Sequence, residues 1–187
     1  MSPIYTDNMV LQHNTPLQIK GIANVGDEIT VKIANQKHNT KCGENGKWSV
    51  TIEPLVAGTG YTLSVSTKDK CLTYSNIAAG DVWLCSGQSN MAFMLWEGAT
   101  AKEDIENADN KNIRLFNLKP AHETNAVEWS TTFLDSLNRL DYYRPTEWQV
   151  CNKENVNSFS AIGYHFSRVL ADSLNIPIGV VCNAIGG

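Results

Sequence analysis

A serine between glutamine and asparagine, in the run Cys85-Ser86-Gly87-Gln88-Ser89-Asn90-Met91, is the feature of this sequence best suited to chemistry. A serine hydroxyl attacks well only where it is exposed, near a base, and beside donors that can hold an oxyanion. The turn after a buried parallel strand supplies such a place, because ligand sites lie outside the carboxyl ends of these strands. Asp81-Val82-Trp83-Leu84-Cys85 reads as that strand, and a helix beginning near Asn90 would aim unpaired N–H groups at a developing negative charge. Gly87 allows a tight or left-handed turn. The plainer reading makes Ser89 an N-cap and Gln88 and Asn90 ordinary turn residues, although Ser86 or Asn90 could take the cap and leave Ser89 free. Met91 stands where the second glycine of a G-x-S-x-G elbow would be, so that fingerprint is excluded.

A second turn of interest follows the apolar run Ile178-Gly179-Val180-Val181-Cys182. There Asn183-Ala184-Ile185-Gly186-Gly187 offers backbone donors with no side chain in the way. Two strands ending on one sheet edge bring their turns together, so Ser89 and the Gly186-Gly187 turn are expected to converge. The alternatives for the glycine pair are a plain flexible turn or the start of a phosphate-binding loop.

These turns need a frame, and the chain changes grammar along its length. Up to about Asn76 the apolar residues alternate: Leu17, Ile19; Ile29, Val31, Ile33; Trp48, Val50, Ile52; Tyr61, Leu63, Val65; Leu72, Tyr74. Alternation marks strands with one buried face. Turn residues separate them at residues 24–27, 44–46 and 58–60, so residues 1–76 are expected to form an antiparallel β-sandwich around Trp48. From Ala79 the strands become continuously apolar. A polar helix is expected near Ala101 to Asn107 and a strand at residues 113–117, followed by a long ordered loop over residues 119–157. A helix carrying Phe159, Ile162, Phe166, Val169, Leu170 and Leu174 comes next, capped by Asn157 or Ser158 and ended by Asn175 and Pro177. Strand, helix, strand, helix, strand predicts a parallel sheet with helices on its faces over residues 77–187.

Composition narrows the function. The net charge is −4 with scattered lysines and arginines, which argues against nucleic-acid binding. No apolar run is long enough to span a bilayer and no signal core opens the chain. The five cysteines, Cys42, Cys71, Cys85, Cys151 and Cys182, form no C-x-x-C pair, so buried free thiols are expected and no metal or cofactor.

The segment Gly80-Asp81-Val82-Trp83-Leu84-Cys85-Ser86-Gly87-Gln88-Ser89-Asn90-Met91 resembles the first sequence block of the sialate O-acetylesterases, a branch of the SGNH hydrolases in which Gly-Gln-Ser-Asn replaces Gly-Asp-Ser. Asp7-Asn8-Met9-Val10-Leu11-Gln12 looks like that family's opening strand. Gly43-Glu44-Asn45-Gly46-Lys47-Trp48 looks like a hairpin of its N-terminal β-domain. Phe159-Ser160-Ala161-Ile162-Gly163-Tyr164-His165-Phe166 resembles the helix before the second block, and Asn183 to Gly187 is similar to that block itself. The resemblance is weakest over residues 119–157.

The resemblance implies the N-terminal portion of a three-layer α/β hydrolase domain behind the β-domain, with Ser89 as the acyl-accepting nucleophile. It also implies an oxyanion hole from the N–H of Ser89 with one from Gly186 or Gly187, and contacts to substrate from Gln88 and Asn90. The implied substrate is an acetylated sugar or glycan, and the implied setting is periplasmic or secreted. The family's catalytic histidine lies in a late Asp-x-x-His motif, which is expected beyond Gly187. None of His13, His38, His122 and His165 follows an aspartate at that spacing, and His165 is expected to be a half-buried helix residue. The expected partner is thus the remaining C-terminal part of the catalytic domain, in cis or in trans. A non-catalytic glycan-binding protein and a fragment of an interrupted gene are the competing readings.

Overall fold

The computed structural model describes residues 1–121, 128–139 and 141–186. Its elements run β1 (Val10–Gln12), β2 (Leu17–Ile22), β3 (Glu28–Ile33), β4 (Gln36–Lys41), β5 (Lys47–Ile52), β6 (Gly58–Ser66), β7 (Cys71–Gly87), α1 (Ser89–Ala92), a 3-10 turn (Leu95–Glu97) and α2 (Ala101–Glu106). Then come β8 (Asn110–Asn117), α3 (Thr131–Asn138), β9 (Gln149–Cys151), α4 (Lys153–Val156), α5 (Ala161–Leu174) and β10 (Ile178–Ala184).

Most strands stand where alternation puts them, with two exceptions. β4 is polar on both faces, Gln36-Lys37-His38-Asn39-Thr40-Lys41, and pairs only with β3 at the end of the sheet. A wet edge strand has no apolar signature and is protected from further pairing by its charge. The expected turn at residues 58–60 belongs to β6, where Gly60 at φ +86° sits in a register shift against β7. The expected turns at Gly26 and Gly46 do hold left-handed glycines.

β7 is seventeen residues long and pairs in two modes. It runs antiparallel to β6 as far as Ala79 and parallel to β10 from Asp81 to Gly87, with β1 alongside residues 78–80 on its other edge. The resulting sheet has the order β4-β3-β6-β7-β10-β8-β9, and β2 and β5 form a second, two-stranded sheet. The expected division at residue 76 therefore falls inside one strand. One apolar cluster holds Ile19, Ile29, Trp48, Val50 and Leu63 from the β-rich part together with Phe116, Trp148 and Val181 from the parallel part. A core that continuous ties the two parts into one packed body.

A second cluster lies on the opposite face of the parallel strands, where Cys85, Leu115, Ile178 and Val180 meet Phe159, Tyr164 and Ala171. α5 begins at Ala161, with Ser160 rather than Asn157 or Ser158 as its cap, because the Ser160 hydroxyl accepts the Gly163 N–H at 3.1 Å. Asn175 closes it in the left-handed conformation at φ 52°. The periodic apolar set divides: Phe159 is buried and Leu170 packs against the core, but the other four members face outward. α5 buries Ala161, Gly163, Tyr164, Ser167 and Ala171, while Ile162, Phe166, Val169 and Leu174 are exposed. Buried Asp104 of α2 holds α5 through Arg168 at 3.0 Å and half-exposed His165 at 3.6 Å.

Residues 119–157 are not one loop. α3 starts where the Ser130 hydroxyl accepts the Phe133 N–H, and Asn152 caps α4 in the same way through Glu154 and Asn155. Between them Trp148 is almost wholly buried, its indole N–H on the Ile4 carbonyl at 3.0 Å. No described helix is long and apolar enough to cross a membrane.

Two outcomes follow from this packing. A Cβ on Gly80 would fall 1.8 Å from the Pro177 carbonyl oxygen, at the point where β7 changes pairing partner. Neither backbone can yield without breaking the Asp81 N–H bond to that oxygen, so Gly80→Ala should cost about 3 kcal/mol in urea unfolding, the upper end for overpacking. Of the five free thiols only Cys71 is exposed, and burial pushes Cys151 up to about 12. A disulfide reagent at pH 8 should titrate one thiol in the native chain and the other four only after unfolding.

Candidate active site

Ser89 lies at the strand-to-helix turn that the sequence predicts, one residue earlier in the helix than expected. α1 starts at Ser89 itself, and Gln88 occupies the cap position with no side-chain hydrogen bond. The hydroxyl is thus not spent on capping. Ser89 is exposed, as are Gln88 and Asn90, and none of the three side chains makes a hydrogen bond to another described residue. Gly87 is not left-handed. Its missing side chain instead lets α1 fold back, since a Cβ there would meet the Met91 Cβ at 3.1 Å.

The turn is braced from two sides. On one side β10 stays in register with β7 up to Ala184 opposite Gly87, and the next N–H, that of Ile185, bonds the Gly87 carbonyl at 3.2 Å. That register brings Gly186 against Ser89: a Cβ built on Gly186 would lie 3.9 Å from the Ser89 hydroxyl oxygen. Ser89 and Gly186 therefore converge. Gly187, the other expected donor, lies outside the described residues. On the other side the segment after α1 docks on the start of α5, with the Ala161 N–H on the Phe93 carbonyl and the Leu95 N–H on the Phe159 carbonyl, both at 2.9 Å.

The nearest sulfur nucleophiles do not compete with the serine. Cys85 and Cys182 sit directly opposite each other on β7 and β10, both buried. Burial raises both thiols, and Cys182 reaches about 11 through burial and the nearby Cys85, so each is protonated at neutral pH.

A cleft of about 580 Å³ opens beside Gly186 at the carboxyl ends of β8 and β10. Its apolar side includes Ala92, Leu118 and Ile185, and its polar side includes Lys119, Arg144 and Ser158. Lys119 and Arg144 also line an adjoining cleft, and neither is in an ion pair with a described carboxylate. The Tyr143 hydroxyl holds the Asn183 side-chain oxygen at 2.7 Å and ties this wall to β10. Sequence reasoning did not assign Lys119, Arg144 or Tyr143 to the site, because they come from the stretch without period. The cap residues Ser130 and Asn152 were the available signs that the stretch is built.

No described imidazole meets the serine. His13 pairs with Asp81 at 3.2 Å, at the end of the parallel stretch opposite Ser89 and about 20 Å of strand away. His38 bonds Gln36 on β4, and His165 is held by Asp104. His122 lies outside the described residues. No group of three or more potential metal ligands occurs among the described residues.

No family model matches the chain. The sialate O-acetylesterases of rat and mouse are 27% and 28% identical to it over 196 and 198 residues, covering 98% of this chain and 35% of each relative. The human protein is 26% identical over 97% of the chain. A crystal structure described as a novel carbohydrate acetylesterase from Xanthomonas citri superposes with a TM-score of 0.81 at 26% identity, over 97% of this chain and 39% of that one. The chain spans about a third of the length of its curated relatives. With the Gly-Gln-Ser-Asn turn, the fold and nearly the whole length matching together, this chain is similar to the sialate O-acetylesterases over almost all of its own length and about a third of theirs.

Proposed function

We propose that this chain carries the nucleophile half of a carbohydrate O-acetylesterase site, with Ser89 attacking the acetyl carbonyl of an esterified sugar. One observation carries the reading: an exposed, uncapped serine at the first position of a helix, in contact range of a glycine turn from the neighbouring strand. The family relation supports the substrate class.

The chemistry runs as an acyl transfer. The Ser89 oxygen bonds to the acetyl carbon while the carbonyl electrons move onto oxygen, and the N–H groups of Ser89 and Gly186 hold that oxyanion. The serine proton passes to an imidazole supplied by the family's C-terminal portion. Collapse of the tetrahedral species returns the proton to the departing sugar hydroxyl and leaves acetyl-Ser89, which water then hydrolyses to acetate. The apolar wall of the cleft suits the acetyl methyl, and its Lys119 side suits a polar sugar. Gln88 and Asn90, exposed with unsatisfied amides, are placed to orient that sugar.

The test uses residues 1–187 alone and a chimera in which they replace the matched 39% of the Xanthomonas citri enzyme. With an aryl acetate, the chain alone should be nearly inactive for want of a base, and the chimera active. Ser89→Ala should lower kcat of the chimera by about 10⁴-fold or more, as loss of an acyl-transfer nucleophile does. Unchanged turnover would remove Ser89 from the mechanism.

Gly186 offers a finer check on the oxyanion geometry. A Cβ at 3.9 Å from the hydroxyl is ordinary contact, whereas a branched side chain would fill the space meant for the carbonyl oxygen. Gly186→Ala should keep kcat within about threefold, and Gly186→Val should lower it by about 10²-fold, the scale of a lost oxyanion donor. Equal effects of the two substitutions would place the oxyanion elsewhere.

A further inference from the structure

We propose that the cleft beside Gly186 and the polar cleft adjoining it form one groove for two consecutive sugars of a neutral glycan chain, with the acetylated unit at Gly186 and its neighbour in the polar lobe. The inference rests on the proposed function in seating the acetylated sugar beside Ser89. It deepens that reading by making the substrate a chain rather than a free monosaccharide.

The two lobes share a wall. Asn117, Lys119, Arg144 and Ser158 line both. Hydrogen bonds build that wall: the Asn117 amide donates to the Ser158 carbonyl and the Lys119 ammonium to the Ser158 hydroxyl, each at 3.1 Å. The Arg144 N–H holds the Lys119 carbonyl at 2.9 Å. The polar lobe measures about 490 Å³ and the lobe beside Gly186 about 580 Å³. Each falls in the range of about 300–1,000 Å³ that takes one small molecule, so a single sugar would leave one of them unused.

The chemistry of the polar lobe points to its occupant. Its apolar lining is the buried pair Leu115 and Phe159, and its polar lining includes Arg144, Thr146, Gln149 and Glu154. None of these polar side chains makes a hydrogen bond or ion pair to a described residue. Together they offer a guanidinium fork, an amide that both donates and accepts, a hydroxyl and a carboxylate acceptor. A pyranose matches that mixture, because its hydroxyls donate and accept around the ring edge while its faces carry C–H groups. An anionic group would meet Glu154, and a wholly apolar one would strip the polar side chains of water with nothing in return.

The mounting is firm. Gln149 opens β9 opposite Leu115, and Glu154 rides on α4, where the capping Asn152 side chain accepts its N–H at 3.0 Å. Groups on such elements are held more exactly than groups on loops. An aromatic surface flanks the groove as well. Trp96 is 56% exposed, with its indole N–H on the Met94 sulfur at 3.3 Å, and Met94 lines the lobe beside Gly186. The Trp96 backbone N–H bonds the Asn157 carbonyl, next to Ser158 of the shared wall. A bare indole there gives the C–H face of a sugar a surface to stack on.

Titration of residues 1–187 with xylobiose, lactose and chitobiose, followed by nuclear magnetic resonance and set against the methyl glycosides of their constituent sugars, tests the groove without any turnover. At least one disaccharide should bind about 10-fold or more tightly than its methyl glycosides and shift the Gln149, Glu154 and Gly186 amides together. Gln149→Ala and Glu154→Gln, both at exposed positions, should each bring that affinity down towards the monosaccharide level. Trp96→Ala should weaken it by about fivefold. Absence of any shift, equal affinity for disaccharide and methyl glycoside, or shifts confined to one lobe would each overturn the proposal. So would tighter binding of sialyllactose than of every neutral disaccharide, which would assign the polar lobe to an acidic sugar. Ser89→Ala in the Xanthomonas citri chimera keeps the two readings apart: unchanged turnover there would remove the esterase reading and leave the disaccharide affinity of residues 1–187 as measured.

Discussion

The switch in pairing along β7 at Gly80 is the constraint on which the site depends. Before it the strand answers to β6, antiparallel; after it the same backbone answers to β10, parallel. The change needs a crossing so close that the Asp81 N–H reaches the Pro177 carbonyl, and only a residue without a side chain fits at position 80. Because the strand is continuous through the switch, its end is fixed by the whole sheet behind it. The Ser89 turn inherits that position with little freedom of its own, the kind of rigid support that a reacting side chain requires.

The immediate surroundings of Ser89 divide the labour between backbone and side chain. Backbone bonds from Ile185, Phe93 and Phe159 and packing by Met91 brace the turn. The hydroxyl of Ser160, which could have been a rival nucleophile, caps α5 and reaches the Met91 sulfur at 3.5 Å. The Ser89 hydroxyl makes no hydrogen bond to another described residue. Its one-turn helix carries little macrodipole, so any anion at this turn would be held by individual N–H groups.

What could be read in the sequence follows from where the forces are local. The alternating runs of β2, β3, β5 and β6 each declare one buried face, and the apolar runs of β8 and β10 declare two. β4 was silent because an edge strand buries neither face fully. The order of the parallel strands was also silent. β10 inserts between β7 and β8 although it comes last, a long-range choice that no local period encodes. α5 shows the limit most clearly. Its period is plain, but period gives the spacing of a face and not its partner, and here Tyr164 and small residues pack inward while Ile162, Phe166, Val169 and Leu174 lie outside. At the site, Ser89 and Gly186 were legible because turn chemistry is local, whereas Lys119, Arg144 and Tyr143 reach the cleft from a stretch whose path is set by the burial of Trp148.

The geometry around Ser89 also limits where a base can enter. One flank of the serine is filled by the β10 turn, with Gly186 in contact range and the buried Cys182 beneath. The floor is β7 itself, and the side towards α5 is closed by Met91 and the Phe93 to Ala161 bond. An imidazole must come within hydrogen-bond reach of the hydroxyl, about 3 Å, and must be held by something rigid to be useful.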